Sequence, residues 1–221
     1  MATTADLIEQ LTADAAPVRR LRAPTWRALG WLAIAAVVIA ALTAILGMRP
    51  GLLAALRDPG FALGRGAALA TAITGALATF QLSLPDRSGR WLILPLPFAA
   101  LWLGTMGYGC LAGLITVGPD GFHLGPGDAC FRIILLTSLP LGVVLFAMVR
   151  HAGPVRPIAT AVAAGLTLAA VAEGGLTLYH DVESSLTDVL AHLIAVALVI
   201  ALSTSGARTV FRLLGPRRRP G

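Results

Sequence analysis

The sequence predicts an all-α, polytopic membrane protein with six transmembrane helices and both termini on the cytoplasmic side. Three observations predict it. Six long apolar stretches occupy most of the 221 residues. Apolar residues make up 57% of the chain and charged residues only 13%, with a mean hydropathy of +0.81. A soluble domain of that composition would expose more apolar surface than water tolerates. Finally, the arginines gather in alternate gaps between the stretches.

Residues 1–27 form a short tail. In it, Asp6-Leu7-Ile8-Glu9-Gln10-Leu11 sets Leu7, Ile8 and Leu11 on one helical face, with Thr3 or Thr4 available as the N-cap. Two readings fit this segment: an amphipathic turn resting on the membrane surface, and a helix that presents its three apolar residues to a partner's groove. Pro17 and Pro24 bracket the basic run Arg19-Arg20-Leu21-Arg22 and end any helix there. The transmembrane region is residues 28–206. Its spans run from Ala28 to Leu46, Phe61 to Leu82, Trp91 to Ile115, Cys130 to Val149, Pro157 to Leu178 and Asp188 to Ser205. Each is near the ~20 apolar residues that cross a bilayer core as a helix. Helices are the default there because the backbone has no water to bond to. Gly118 to Asp128, rich in Gly and Pro, reads as a true loop, and no loop is long enough to fold as a separate domain. Abundant Gly and Ala in the spans permit close helix packing, within the chain or between copies of it. Residues 207–221 form a basic tail.

Orientation follows from the arginines. With the N-terminus inside, the inside segments hold Arg19, Arg20, Arg22, Arg27, Arg87, Arg90, Arg150, Arg156, Arg208, Arg212, Arg217, Arg218 and Arg219, which is 13 of 17. The outside loops hold only Arg49 and Arg57 and are acidic, with Asp120, Asp128, Asp181 and Glu183. The positive-inside rule then places both termini in the cytoplasm. The net charge of +6 flanks hydrophobic spans and lines no amphipathic face, so it does not point to nucleic acid. Every basic residue is Arg, which reads as base composition of the coding sequence. The first span, preceded by residues 1–27 and followed by no small-residue cleavage site, does not read as a signal peptide.

Chemistry-bearing residues are few. Glu173 is the one acid deep in a span, about 24 Å along the fifth by helical rise. Arg65 and Arg132 lie near the outer ends of the second and fourth spans. A carboxylate within a membrane is costly unless paired, so Glu173 is expected to pair with Arg65 or Arg132; the other reading of both arginines is snorkelling to the headgroups. A structural pair outweighs a proton relay, because one acid makes a thin transport path. Cys130 sits at the outer mouth of the fourth span, and Cys110 about 9 Å below the outer exit of the third. A disulfide between them is geometrically conceivable in an oxidising periplasm, the alternative being two buried small hydrophobes. His123, His180 and Asp181 fall on the same side as Cys130, a ligand set suited to a soft or borderline metal, although no metal-ligand spacing supports it. His192 reads as a satisfied helix histidine. No nucleotide loop, hydrolase or metalloprotease motif appears, so neither catalysis nor a cofactor is indicated.

The ordered motifs resemble one family. Asp6-Leu7-Ile8-Glu9-Gln10-Leu11, followed by Ala16-Pro17-Val18-Arg19-Arg20-Leu21-Arg22-Ala23-Pro24, is similar to the opening of NrsF-type membrane proteins. The similarity continues through Leu46-Gly47-Met48-Arg49-Pro50, Asp58-Pro59-Gly60-Phe61, Cys130-Phe131-Arg132, Ser138-Leu139-Pro140 and Arg150-His151-Ala152-Gly153-Pro154. The resemblance implies an inner-membrane anti-sigma factor, not an enzyme. Its cytoplasmic side would hold an extracytoplasmic-function sigma factor of the sigma-F type and release it on a periplasmic stress signal. It further implies sensing through two outward-facing cysteines. Cys130 matches the first position. The second follows a histidine in the family pattern, and here that stretch reads His180-Asp181-Val182-Glu183-Ser184-Ser185, with Asp181 in the cysteine position. Three alternatives follow: Cys110 substitutes, another ligand set senses, or redox sensing is lost.

A 27-residue tail is too small for a globular sigma-binding domain, so binding would use its helix, with Leu7, Ile8 and Leu11 as anchors and Arg19 and Arg20 beside them. Such a short helix orders on binding. The competing class is a small membrane redox protein or transporter using Cys110, Cys130, Arg65 and Glu173. A third is a structural membrane subunit whose tails recruit other proteins.

Overall fold

The structure, a computed structural model, describes residues 3–13, 21–117, 127–150, 152, 155–179, 194, 197–198 and 201–202. Among these residues the regular elements are all helical. They are α1 (Thr4–Ala13), α2 (Pro24–Leu46), α3 (Leu52–Ala55), α4 (Pro59–Leu82), a 3₁₀ turn at Gly89–Ile93, α5 (Leu96–Val117), α6 (Gly127–Arg150) and α7 (Pro157–Tyr179). Five are long and apolar enough to cross a membrane: α2, α4, α5 with its preceding turn, α6 and α7. The sixth expected span, Asp188–Ser205, lies outside the described residues except for Ile194, Ala197, Leu198, Ala201 and Leu202, which are helical.

Local chemistry sets the boundaries. Pro24 opens α2 within its first turn, where a missing N–H costs nothing and the fixed φ favours helix. The helix therefore starts before Ala28 and takes Arg27 into its first turn. Gly47 ends it at φ +85°, a conformation glycine adopts without strain. The carboxylate of Asp58 accepts the Phe61 N–H at 2.7 Å and caps α4 ahead of Pro59. Between these two helices the chain is not plain loop. Gly51, at φ +77°, starts the short α3, which buries Leu52. The third expected span is divided: Pro95 lacks an N–H and its ring would crowd the carbonyl of Trp91, so the 3₁₀ turn stops and α5 begins afresh at Leu96.

α7 lies at the centre. It packs most extensively on α4, with α6 on another side, while α5 lies along α4 and α2 rests on both α4 and α7. The α4–α7 contact is made by small residues: a Cβ on Gly75 would stand 2.5 Å from Thr167 Oγ1. Close backbone approach of this kind supplies dispersion where lipid removes the hydrophobic drive between helices. Several buried hydroxyls are satisfied within their own helices, as Thr71 donates to Ala67 O and Thr167 to Ala163 O. Larger side chains fill two clusters. One centres on Trp31, Phe80, Leu141 and Leu145 between α2, α4 and α6. The other sets Trp102 of α5 against Ala67, Ala68 and Ala72 of α4.

Candidate functional site

At the end of the bundle where α4 begins and α7 finishes, charge is gathered inside an apolar frame. Glu173 is 1% exposed. Arg65 Nη1 donates to its Oε1, forming an ion pair between α4 and α7. The Arg65 guanidinium also lies over the Phe61 ring, 5.2 Å from its centroid, and Arg49 lies over the same ring at 5.6 Å. The ring's negative face attracts both cations where water is scarce. Arg49 is held in place by its backbone N–H, which donates to Leu178 O at 2.9 Å at the close of α7. Arg65 Nε and Glu173 Oε2 are buried without a partner among the described residues. So arranged, the pair neutralises two otherwise costly charges and joins the two central helices.

Beside the pair lies a cavity of about 500 Å³ between α2, α3, α4 and α7. Its walls are Ala, Gly, Leu, Ile and Val, apart from Arg65 and Thr177.

The opposite end has its own arginine clamp. Arg27, 8% exposed, donates from Nη2 to Met148 O of α6 and stacks on Phe80 of α4 at 5.0 Å. One turn later Trp31 Nε1 donates to Leu141 O at 3.2 Å. By its place before an apolar stretch Arg27 reads only as a flanking charge. The i, i+4 spacing of Arg27 and Trp31 on one face was the available signal for a role in packing. At the same end Arg156 Nη1 donates to Arg87 O at 2.6 Å, tying together the two short connections 83–88 and 151–156. An open apolar groove lined by Leu21, Val143, Val144 and Met148 runs beside Arg27.

α1 stands apart from this packing. Thr3 Oγ1 accepts the Asp6 N–H at 3.2 Å, and the Asp6 carboxylate accepts the Thr3 N–H at 2.8 Å, a reciprocal cap. The Thr3 backbone N–H, and after it the hydroxyl, hold the Asp6 carboxyl below its usual range. Leu7 and Ile8 are exposed, at 52% and 57%. Leu11 is on the same helix, but its side chain lies outside the described residues, as do Arg19 and Arg20.

Cys110 lies on the second half of α5 and Cys130 in the first turn of α6, at the same end as Arg65 and Glu173. Their side chains and that of Arg132 fall outside the described residues, together with the whole of His123, His180 and Asp181. Among the described residues no three His, Cys, Asp or Glu side chains converge as metal ligands.

An all-helical bundle with five apolar helices, internal arginine clamps and an unpacked amphipathic helix defines a helical membrane protein with a projecting peptide-like element. More particularly, comparison with known families matches residues 11–213 to NrsF, described as negative regulator of sigma F, and the chain belongs to that family. No curated protein and no solved structure matches it. The match begins at Leu11, so Leu7 and Ile8 precede it.

Proposed function

We propose that the protein is an anti-sigma factor of the bacterial inner membrane that sequesters a sigma-F-type factor through its cytoplasmic N-terminal tail and releases it on a periplasmic stress signal. Membership of the NrsF family carries this reading. In it the chain crosses the membrane six times, both termini are cytoplasmic, and the arginine-rich connections face the sigma factor. The exposed Leu7 and Ile8, with Leu11 on the same helix, serve as anchors in a groove of the partner, and Arg19 and Arg20 steer it. The signal enters on the other face, where Cys130, Cys110, His180 and Asp181 are the residues with redox or metal chemistry to offer. Neither catalysis nor direct contact with nucleic acid is part of this reading. The mutual neutralisation of Arg65 and Glu173 supports a scaffolding role for the pair over a transport path.

The test co-expresses the protein with the sigma F factor of its host and recovers both from membranes. Leu7→Asp combined with Leu11→Asp is expected to lose sigma F from the detergent extract while the protein's own membrane yield is unchanged. Retention of sigma F by the double variant would exclude the tail helix as the binding element.

A further inference from the structure

We propose that the cavity between α2, α3, α4 and α7 holds an acyl chain of an anionic phospholipid, with the lipid phosphate seated on Arg65. The proposal rests on membrane placement of these helices and does not depend on the sigma-factor reading.

The cavity has the size of a ligand site. Its volume of about 500 Å³ falls within the ~300–1,000 Å³ typical of small-molecule pockets, which recur between the helices of bundles. Its axis follows α2 from Leu32 to Ala40 and α7 from Ala170 to Leu178, about 12 Å of each by helical rise. Water is a poor occupant: a buried water needs two to four polar partners, and along this length the walls are Leu32, Ile39, Leu69 and Val171. A methylene chain meets those walls with dispersion contacts that vacant space would forfeit.

One charged group completes the lining, and it stands at one end. Arg65 enters the cavity from the N-terminal half of α4, the end at which α7 finishes. Side chains on a helix lean toward its N-terminus, so Arg65 reaches from the apolar region toward the nearer membrane face. Nη1 is held by Glu173 and the guanidinium plane rests on Phe61, which fixes its direction. Nε is left buried with no acceptor among the described residues. The side chain nevertheless keeps 21% of its surface open, and a guanidinium with one N–H group engaged and part of its surface open suits a phosphate oxygen. An apolar cavity with a single directed donor at its interfacial end is the complement of an anionic amphiphile.

The glycines of α7 give a clean way in. Gly174 and Gly175 both line the cavity. A Cβ on Gly175 would strike the Ile39 side chain, whereas a Cβ on Gly174 meets nothing within 4 Å. Gly174→Leu therefore places its side chain where the acyl chain would lie. Gly30→Leu, on α2 and also with open space around its Cβ, is the matched control away from the cavity.

The full-length protein is delipidated in mild detergent and titrated by native mass spectrometry with phosphatidylglycerol, and separately with diacylglycerol of the same chains. One phosphatidylglycerol per chain is expected, bound about tenfold more tightly than the phosphate-free diacylglycerol, the discrimination one charge-assisted hydrogen bond supplies. Gly174→Leu is expected to lose that adduct, Gly30→Leu to keep it, and Arg65→Met combined with Glu173→Gln to bring the two lipids level. Equal binding of both lipids by the native chain would overturn the assignment of the headgroup. An adduct undiminished in Gly174→Leu would overturn the cavity as its place. Because that double variant removes the ion pair, the Gly174 variant decides the matter if the double variant does not fold.

Discussion

α2 and α7 are both 23 residues long, and α2 is the more apolar of the two. Yet α7 is the helix that is buried almost all round, while α2 turns most of its surface outward. Trp26, Val37 and Ile45 of α2 are 70%, 68% and 78% exposed, whereas α7 buries Thr160, Thr167, Glu173 and Thr177 among its alanines. In water the more apolar helix would be the better candidate for the core. In a bilayer the order reverses: large apolar side chains are satisfied by lipid, and the interior goes to small residues that admit neighbouring backbones and to polar groups that need protein partners. α2 fully buries only Pro24 and the stripe of Arg27, Ala28, Trp31 and Ala35.

The contrast is open to breaking. The largest effect is expected at the ion pair on α7. Arg65→Ala leaves the Glu173 carboxylate buried and alone, a change that costs about 3–5 kcal/mol in comparable pairs. Adding Glu173→Gln should recover most of that loss. Thermal unfolding in detergent would read both, and a melting point for Arg65→Ala no lower than that of Trp26→Ala on the α2 surface would break the comparison. A smaller effect is expected from steric crowding. Gly75→Leu forces α4 away from Thr167 and should destabilise by about 1–3 kcal/mol. Gly30→Ala on α2, where the added carbon meets nothing, should be neutral or gain up to about 1 kcal/mol from helix propensity. The smallest effect sharpens the α2 stripe: Trp31→Phe removes the donor to Leu141 O and should cost about 1 kcal/mol, measurable as a shift in the same unfolding curve.

Much of the fold was legible in the chain. Apolar stretches of bilayer length mark the positions of α2, α4, α6 and α7 within a few residues, because in lipid the backbone must bond within its own segment. The misplaced boundaries have local causes. Pro24 reads as a terminator of the preceding segment but acts as the first turn of α2, since proline is unfavourable inside a helix and well suited to its start. Pro95 divides a stretch that hydropathy alone runs together. α3 was invisible because four residues carry no periodic signal. At the candidate site, Glu173 stood out as an isolated acid in an apolar run, and Arg65 and Arg132 were equally eligible partners by depth. The described structure pairs it with Arg65. The shared stacking of Arg49 and Arg65 on Phe61 joins residues that no spacing rule connects. The cavity was equally hidden, because empty space belongs to no residue.

By itself the sequence determined the class of protein: helical, apolar enough for membrane crossing, with a polar tail bearing one amphipathic turn. It did so because hydropathy, helical period, and proline and glycine act over neighbours along the chain, and such local quantities can be read in order. Only the tertiary structure decided which helix is central, which arginine meets Glu173, and where the walls stand apart. Those outcomes depend on the fit of surfaces from distant segments, where a glycine opposite a threonine draws two helices together and a bulky side chain elsewhere holds them apart.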